Sequence, residues 1–233
     1  MNDERAVVSV ATGRYIPGLL RLRATVEGQA KFFGWEDLLP GGSPSHIDKP
    51  YAFKAFALDF AARQGAKVLL WADASILPIK PLEELFDRIE RDGYWISNNG
   101  WTNYEWTADQ AYAALGISRE ANRLIPHVVA TTFGVSFKNA IGRAIFDMYH
   151  SLALGNAFVG PWANKNHPDY AGRQVDHRCA PCGPADVRGH RHDQTALSVV
   201  AHRVGAVLTN APEIFAYRGG ETAKTFLVAD SNY

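Results

Sequence analysis

Lys67-Val68-Leu69-Leu70-Trp71-Ala72-Asp73-Ala74-Ser75 is the stretch on which the fold turns. Its apolar run is too short for a separate helix and shows no polar alternation, which is the pattern of a strand covered on both faces. Just upstream, Phe53, Phe56, Ala57, Phe60 and Ala61 recur at helical spacing, with Pro50 suited to the first turn and Gly65 to the stop. Just downstream, Pro81 opens a helix over 82–91, and Tyr94-Trp95-Ile96-Ser97 reads as the next strand. A buried strand flanked by helices is the repeating unit of an α/β domain.

Farther out the alternation continues. Ala6-Val7-Val8-Ser9-Val10-Ala11 is a buried first strand that runs into the loop Thr12-Gly13-Arg14-Tyr15, and Pro17-Gly18 opens a helix after it. Gly41-Gly42-Ser43-Pro44 is a loop. Past Trp106 the pattern predicts a helix near 108–115, a strand over 133–137 and a helix over 139–154. Residues 155–191 hold Gly, Pro, His and Asn without a period, and a stretch of that length is more often functional or mobile than idle. It ends at Asp193, where Ala196, Leu197, Val200, Ala201 and Val204 mark an amphipathic helix capped by an acid. The expectation is one domain over 1–233, with a largely parallel central sheet flanked by helices. Ligands then bind outside the carboxyl ends of the strands.

The totals narrow the function classes. The chain has 233 residues, and its 24 basic and 24 acidic side chains balance, so it lacks the basic excess of a nucleic-acid binder. No apolar run reaches the ~20 residues that a transmembrane helix needs. Met1-Asn2-Asp3-Glu4-Arg5 leads straight into the first strand without the pattern of a signal peptide, so a cytoplasmic protein is expected. Two cysteines make no disulfide framework. HxE, Walker A and GxGxxG segments are absent, which sets aside zinc deaminases and lowers the kinase, ATPase and dehydrogenase readings.

Asp73 should emerge at the carboxyl edge of the sheet, where a carboxylate can hold a hard divalent cation against diphosphate oxygens, or simply cap the next turn or pair with a nearby Arg. The segment Lys49-Pro50-Tyr51 with Lys54, the run from Val68 to Ser75, and Lys80-Pro81-Leu82 with Leu85-Phe86 are together similar to the donor half of GT-A glycosyltransferases. The resemblance extends to Arg191-His192-Asp193-Gln194-Thr195-Ala196-Leu197-Ser198 and is closest to small bacterial and virus-encoded transferases. It implies a GT-A-like, Rossmann-type domain whose donor half is about 1–100 and whose acceptor half is about 101–233. It also implies that Thr12, Gly13 and Tyr15 seat the base and ribose, that Lys54 meets the diphosphate, and that Asp73 and Ser75 occupy the outer positions of a DxD motif. Mn²⁺ or Mg²⁺ is then expected on Asp73 and Ser75, although Ser75 is neutral and a weaker ligand than the carboxylate of the family pattern.

Sugar transfer with inversion needs a general base, and Asp193 stands where the resembling enzymes place their acceptor-facing acid; an ordinary helix cap is the competing role. Asn98, Asn99 and Trp101, with Asn103, Tyr104 and Trp106 behind them, offer the stacking faces and amide forks of a glycan site, and His192 could orient the acceptor. His177, Cys179, Cys182, His190 and His192 have partial zinc-knuckle spacing, with free thiols the more ordinary outcome. The expected activity is metal-assisted transfer of a sugar from a UDP- or dTDP-linked donor to a glycan hydroxyl, as in polysaccharide biosynthesis. The rivals are a nucleotidyltransferase, which usually needs a glycine-rich basic loop after the first strand, and a non-catalytic carbohydrate-binding domain of the same fold.

Overall fold

The computed structural model describes residues 4–170 and 178–231. β1 (Arg5–Ala11) leads through a single 3-10 turn into α1 (Ile16–Val26), and β2 (Lys31–Glu36) returns parallel to it. α2 (Phe53–Arg63) then carries the chain to β3 (Val68–Ala72), which pairs in parallel with the other side of β1. β4 (Ile76–Pro78), α3 (Glu83–Asp92), β5 (Tyr94–Trp95) and β6 (Ser97–Thr102) follow. After the short α4 (Tyr112–Leu115) and α5 (Arg119–Asn122) come β7 (Pro126–Val128), β8 (Thr132–Ser136) and α6 (Ala140–Leu154). β9 (Ala163–Asn164) pairs with β10 (Cys179–Ala180), and α7 (His192–Arg203) precedes β11 (Thr209–Asn210), β12 (Phe215–Tyr217) and β13 (Leu227–Ala229).

The central sheet has the order β2-β1-β3-β8-β5 and is mixed, which corrects the largely parallel expectation. β8 runs antiparallel to both β3 and β5. An apolar run buried on both faces reads the same in either direction, so the sequence pattern carried no sign of the reversal. Smaller sheets, β11-β6-β7 and β12-β13-β4, flank the central one.

Side chains alternate across the sheet with the period of two that a strand imposes. Ala6, Val8, Leu69 and Trp71 face a core shared with α2, α6 and α7, whereas Val7, Val68, Leu70 and Ala72 face a core that includes Leu22, Val26, Leu85, Phe86 and Ile89. The helix after Tyr51 packs by a different stripe from the one expected. Lys54, Ala55, Ala57, Leu58 and Ala61 are its buried residues, and Phe60 is turned out against Phe33 and Trp35 of β2. Small residues let α2 lie close on the sheet while the aromatic rings cover its edge. α6 approaches its neighbours as closely: a Cβ on Gly142 would stand 2.1 Å from the Gly93 carbonyl oxygen and 2.3 Å from that of Ser136. No helix among the described residues is long and apolar enough to cross a membrane.

Candidate functional site

Because β1 and β3 are parallel, the loops Thr12–Tyr15 and Asp73–Ser75 leave the same edge of the sheet side by side. β8 begins at that edge, and the Asp73 N–H donates to the Thr131 carbonyl oxygen at 2.8 Å. α2 and α7 start there too, which brings Lys54 and Asp193 to Asp73. The Lys54 ammonium lies 3.0 Å from Asp73 Oδ1 and 2.8 Å from Asp193 Oδ2, and it donates to the Ala130 carbonyl oxygen at 2.8 Å. Asp73 Oδ1 also accepts the Trp71 indole N–H at 2.7 Å.

Lys54 and Asp193 are both buried, with side chains 2% and 6% exposed, whereas Asp73 is 28% exposed and so faces solvent from the same cluster. Burial works against the Lys54 charge, but two carboxylates outweigh it and hold the ammonium protonated. Asp193 goes the other way. Burial pushes its carboxyl up to about 6, against the pull of Lys54, with the Asp73 charge adding to the rise. The two directions are compatible because one ammonium is shared between two acids, so neither acid receives all of it. Asp193 is therefore not the helix cap: α7 starts from Arg191, and the Asp193 side chain in the first turn reaches Lys54 instead.

Two cavities meet at this cluster. One, of about 430 Å³, is lined by Thr12, Tyr15, His46, Phe53, Ser75 and Arg178 among others; the second, of about 190 Å³, is lined by Lys54, Ala130, Trp162, Arg191, His192 and Asp193 among others. Tyr51 and Asp73 belong to both walls. Thr12, Tyr15, Lys54, Asp73, Ser75, His192 and Asp193 thus converge. Gly13 sits between Thr12 and Tyr15 with a positive φ of 53°, its N–H donated to Asp37 at 2.7 Å, and is not on the cavity wall.

The expected glycan residues part company. Asn98 and Asn99 close local turns, accepting the N–H groups of Gly100 at 2.9 Å and Trp101 at 3.1 Å. Asn98 lines a separate cavity with Ser198, His202 and Asn210. Trp101 stands one ring behind the site, edge-on to Trp106 with centroids 6.0 Å apart.

Tyr51 and Arg191 are wall residues that fall within the segments resembling glycosyltransferases but to which the sequence assigned no role. Tyr51 and His192 have left-handed backbones, φ 62° and 47°, and their rings lie 5.6 Å apart. Such conformations cost of order 1–3 kcal/mol each in a non-glycine residue and cluster at ligand sites. The Tyr51 N–H donates to His46 Nδ1 at 3.1 Å, and the His192 Nδ1–H donates to the Phe158 carbonyl oxygen at 2.9 Å. Burial lowers the His192 imidazole to about 4, so it is neutral and its Nε2 carries a lone pair. Arg191 is clamped between two indoles, its guanidinium carbon 3.9 Å from the Trp106 centroid and 4.2 Å from that of Trp162.

Mn²⁺ or Mg²⁺ on Asp73 and Ser75 meets a donor set that does not fit it. Oδ1 of Asp73 already takes an indole N–H and an ammonium, Ser75 brings only a neutral hydroxyl, and Asp193 is enclosed with Lys54. Asp230, whose N–H reaches the Ser75 carbonyl, has its carboxylate held by Arg21 and Arg218. A dication brought to Asp73 would face the Lys54 charge, and two unit charges 4 Å apart already repel by about 4 kcal/mol at an effective dielectric of 20. Among the described residues no three His, Cys, Asp or Glu side chains converge as a metal site.

The zinc-knuckle residues are likewise dispersed in role. His190 is fully buried with Nε2–H on the Ala157 carbonyl and Nδ1 accepting from Ala108, both ring nitrogens occupied. Cys179 and Cys182 are buried free thiols, and burial beside Cys179 pushes Cys182 up to about 11. His177 lies outside the described residues.

No family model matches the sequence, and no curated protein does. Among solved structures the chain is similar to a glycosyltransferase involved in the glycosylation of the major capsid of PBCV-1. The likeness covers 97% of this chain and 92% of that one, with a TM-score of 0.53 at 10% sequence identity, and it is a likeness of fold.

Proposed function

We propose that the chain transfers a glycosyl group from a nucleotide sugar, UDP- or dTDP-linked, to a hydroxyl of a glycan or glycoconjugate, as one domain over residues 1–233. The Lys54–Asp73–Asp193 cluster carries the proposal, because it stands where the two cavities meet and presents an acid to each. The larger cavity suits the nucleoside, with Tyr15, His46 and Phe53 as its aromatic walls and Thr12 and Ser75 as hydroxyl partners. The smaller suits the acceptor, with Trp162 available to cover the apolar face of a pyranose and His192 Nε2 to accept from one of its hydroxyls. Donor phosphates then span the wall at Asp73 and Tyr51 toward Arg191, and the glycan site falls on Trp162 and His192 in place of Asn98 and Asn99.

Chemistry follows from the asymmetry of the two acids. Asp193, buried and titrating near 6, is largely ionised at neutral pH yet basic enough to accept a proton. It takes the proton of the acceptor hydroxyl, the oxygen attacks the anomeric carbon, and the bond from that carbon to the phosphate oxygen breaks. The electron pair leaves with the nucleoside diphosphate, and the attack from the opposite face inverts the anomeric centre. Asp73 holds Lys54 in place and offers its other oxygen to the ribose or the sugar.

The deciding experiment is a screen of UDP- and dTDP-sugars by thermal shift, followed by product analysis with a glycan acceptor mixture. Release of nucleoside diphosphate supports the proposal. Release of pyrophosphate would assign a nucleotidyltransferase, and a donor that binds without any turnover would leave only a carbohydrate- or nucleotide-binding role.

A further inference from the structure

The Arg191 guanidinium is a partly buried cation that meets no carboxylate among the described residues. Its N–H at Nη1 goes to the Trp162 carbonyl oxygen at 3.0 Å, and the guanidinium also donates to the Tyr170 hydroxyl. Partial burial presses against its charge, and the hydroxyls of Tyr170, Tyr51 and Tyr217 offset that only in part, so an anion at this wall would be favoured. It is also held in place. The Arg191 backbone N–H reaches the Trp106 carbonyl and Thr195 Oγ1, both at 3.2 Å, and the neighbouring His190 N–H reaches the Pro161 carbonyl at 2.8 Å. Both indoles of the clamp are therefore tied to the segment that carries the arginine. A guanidinium stacked between two rings has five N–H donors in its plane, more than the Trp162 carbonyl and the Tyr170 hydroxyl use, and it has given up its side-chain freedom before any ligand arrives.

Arg191 and Lys54 line the same cavity, with Asp73 and Asp193. The two acids share the one ammonium, and the guanidinium is left over, so the cavity carries a cation available to the negative charge that the proposed reaction develops on its leaving group. We infer that Arg191, with Lys54 behind it, binds the departing nucleoside diphosphate, and that donor binding therefore needs no divalent ion. The inference rests on the nucleotide-sugar assignment above. It also accounts for Ser75: where a guanidinium meets the diphosphate, the second carboxylate of a DxD motif has no dication to hold and would only add repulsion.

Calorimetry with UDP, dTDP, uridine and thymidine tests it, in EDTA and again with Mn²⁺, on the natural protein and on Arg191→Gln. The expected result is that the better-bound diphosphate keeps its affinity in EDTA to within about three-fold. Arg191→Gln should weaken that diphosphate by about ten-fold or more, the loss of one charge-assisted contact, and leave the matching nucleoside unchanged. A loss of more than about three-fold on chelation overturns the metal-free assignment. Diphosphate affinity within about three-fold in Arg191→Gln overturns the role of the arginine. The nucleoside arm shows whether the variant has kept its fold, and the EDTA arm on the natural protein stands without any variant. Absence of nucleoside and diphosphate binding in both buffers would instead sink the nucleotide-sugar assignment itself, and this inference with it.

Discussion

Replacing Lys54 by Met isolates the central ion cluster while keeping an unbranched stem of similar size in the α2 stripe. The substitution removes the ammonium from Asp73 Oδ1, Asp193 Oδ2 and the Ala130 carbonyl. Asp193, buried and stripped of its cation, escapes by taking up a proton. In the natural protein its carboxyl titrates near 6 when folded and near 3.9 when unfolded, so the folded chain holds the extra proton between about pH 4 and pH 6 and this group's contribution to stability falls as pH rises through that window. In the variant the folded value climbs further, and each pH unit above 6 then costs about 1.4 kcal/mol relative to the natural protein. At pH 8 that is about 3 kcal/mol, and near pH 5.5 it is close to nothing. Loss of the bond to Ala130 adds about 1 kcal/mol at either pH. The expectation is a deficit of about 4 kcal/mol at pH 8, in the range measured for breaking a buried pair, shrinking to about 1 kcal/mol at pH 5.5. Guanidinium unfolding of both proteins at the two pH values measures it. A deficit that stays constant between them, or one under about 1 kcal/mol at pH 8, would refute the account of Asp193 as a buried acid held ionised by Lys54.

Asp193→Asn should lower turnover by about 10²–10⁴-fold while donor affinity stays within about three-fold, since only proton transfer is removed; a variant with a tenth of natural activity or more rejects Asp193 as the base. The natural enzyme should lose kcat/KM as pH falls through about 6, where Asp193 becomes protonated, and a flat profile between pH 5 and 7 counts against the same role. Gly142→Ala, a change that stabilises an ordinary helix interior by about 1 kcal/mol, should here lower the melting temperature, because its Cβ would collide with the Gly93 and Ser136 carbonyls. A raised melting temperature would show that α6 does not pack that closely. Cys182, with its thiol pushed up to about 11, should react with Ellman's reagent at pH 8 far more slowly in the native protein than after unfolding, and equal rates would contradict its burial.

The strand that ends at Asp73 was legible because burial on both faces writes itself as an unbroken apolar run. The same property hid the direction of β8, since pairing sense is decided by where the connection re-enters the sheet. β2 was not legible at all. It is an edge strand, partly covered along most of its length and interrupted by Gly34, so it has neither the unbroken run of a core strand nor a clean alternation. Arg191 and Tyr51 lay within the resembling segments, but their roles were hidden for a different reason. The clamp on Arg191 comes from Trp106 and Trp162, distant in the chain, and the left-handed turn at Tyr51 contradicts what its residue type prefers.

Lys54 is the instructive case, because the chain contains two competing helical stripes through it. Phe53, Phe56 and Phe60 form one, and the larger rings make it the more hydrophobic choice. Lys54, Ala57, Leu58 and Ala61 form the other, at spacings i, i+3, i+4 and i+7, and its single charge counts against it. The structure buries the second. Three small or aliphatic residues let the helix settle close on Trp71, and at that distance a lysine in the first turn reaches the carboxylates at the end of β3 and the start of α7. An aromatic stripe in the same place would hold the helix farther out and leave Asp193 buried without a cation. The lone lysine in an alanine stripe is therefore the local signature of the site, and the aromatic residues beside it follow from the need to cover β2.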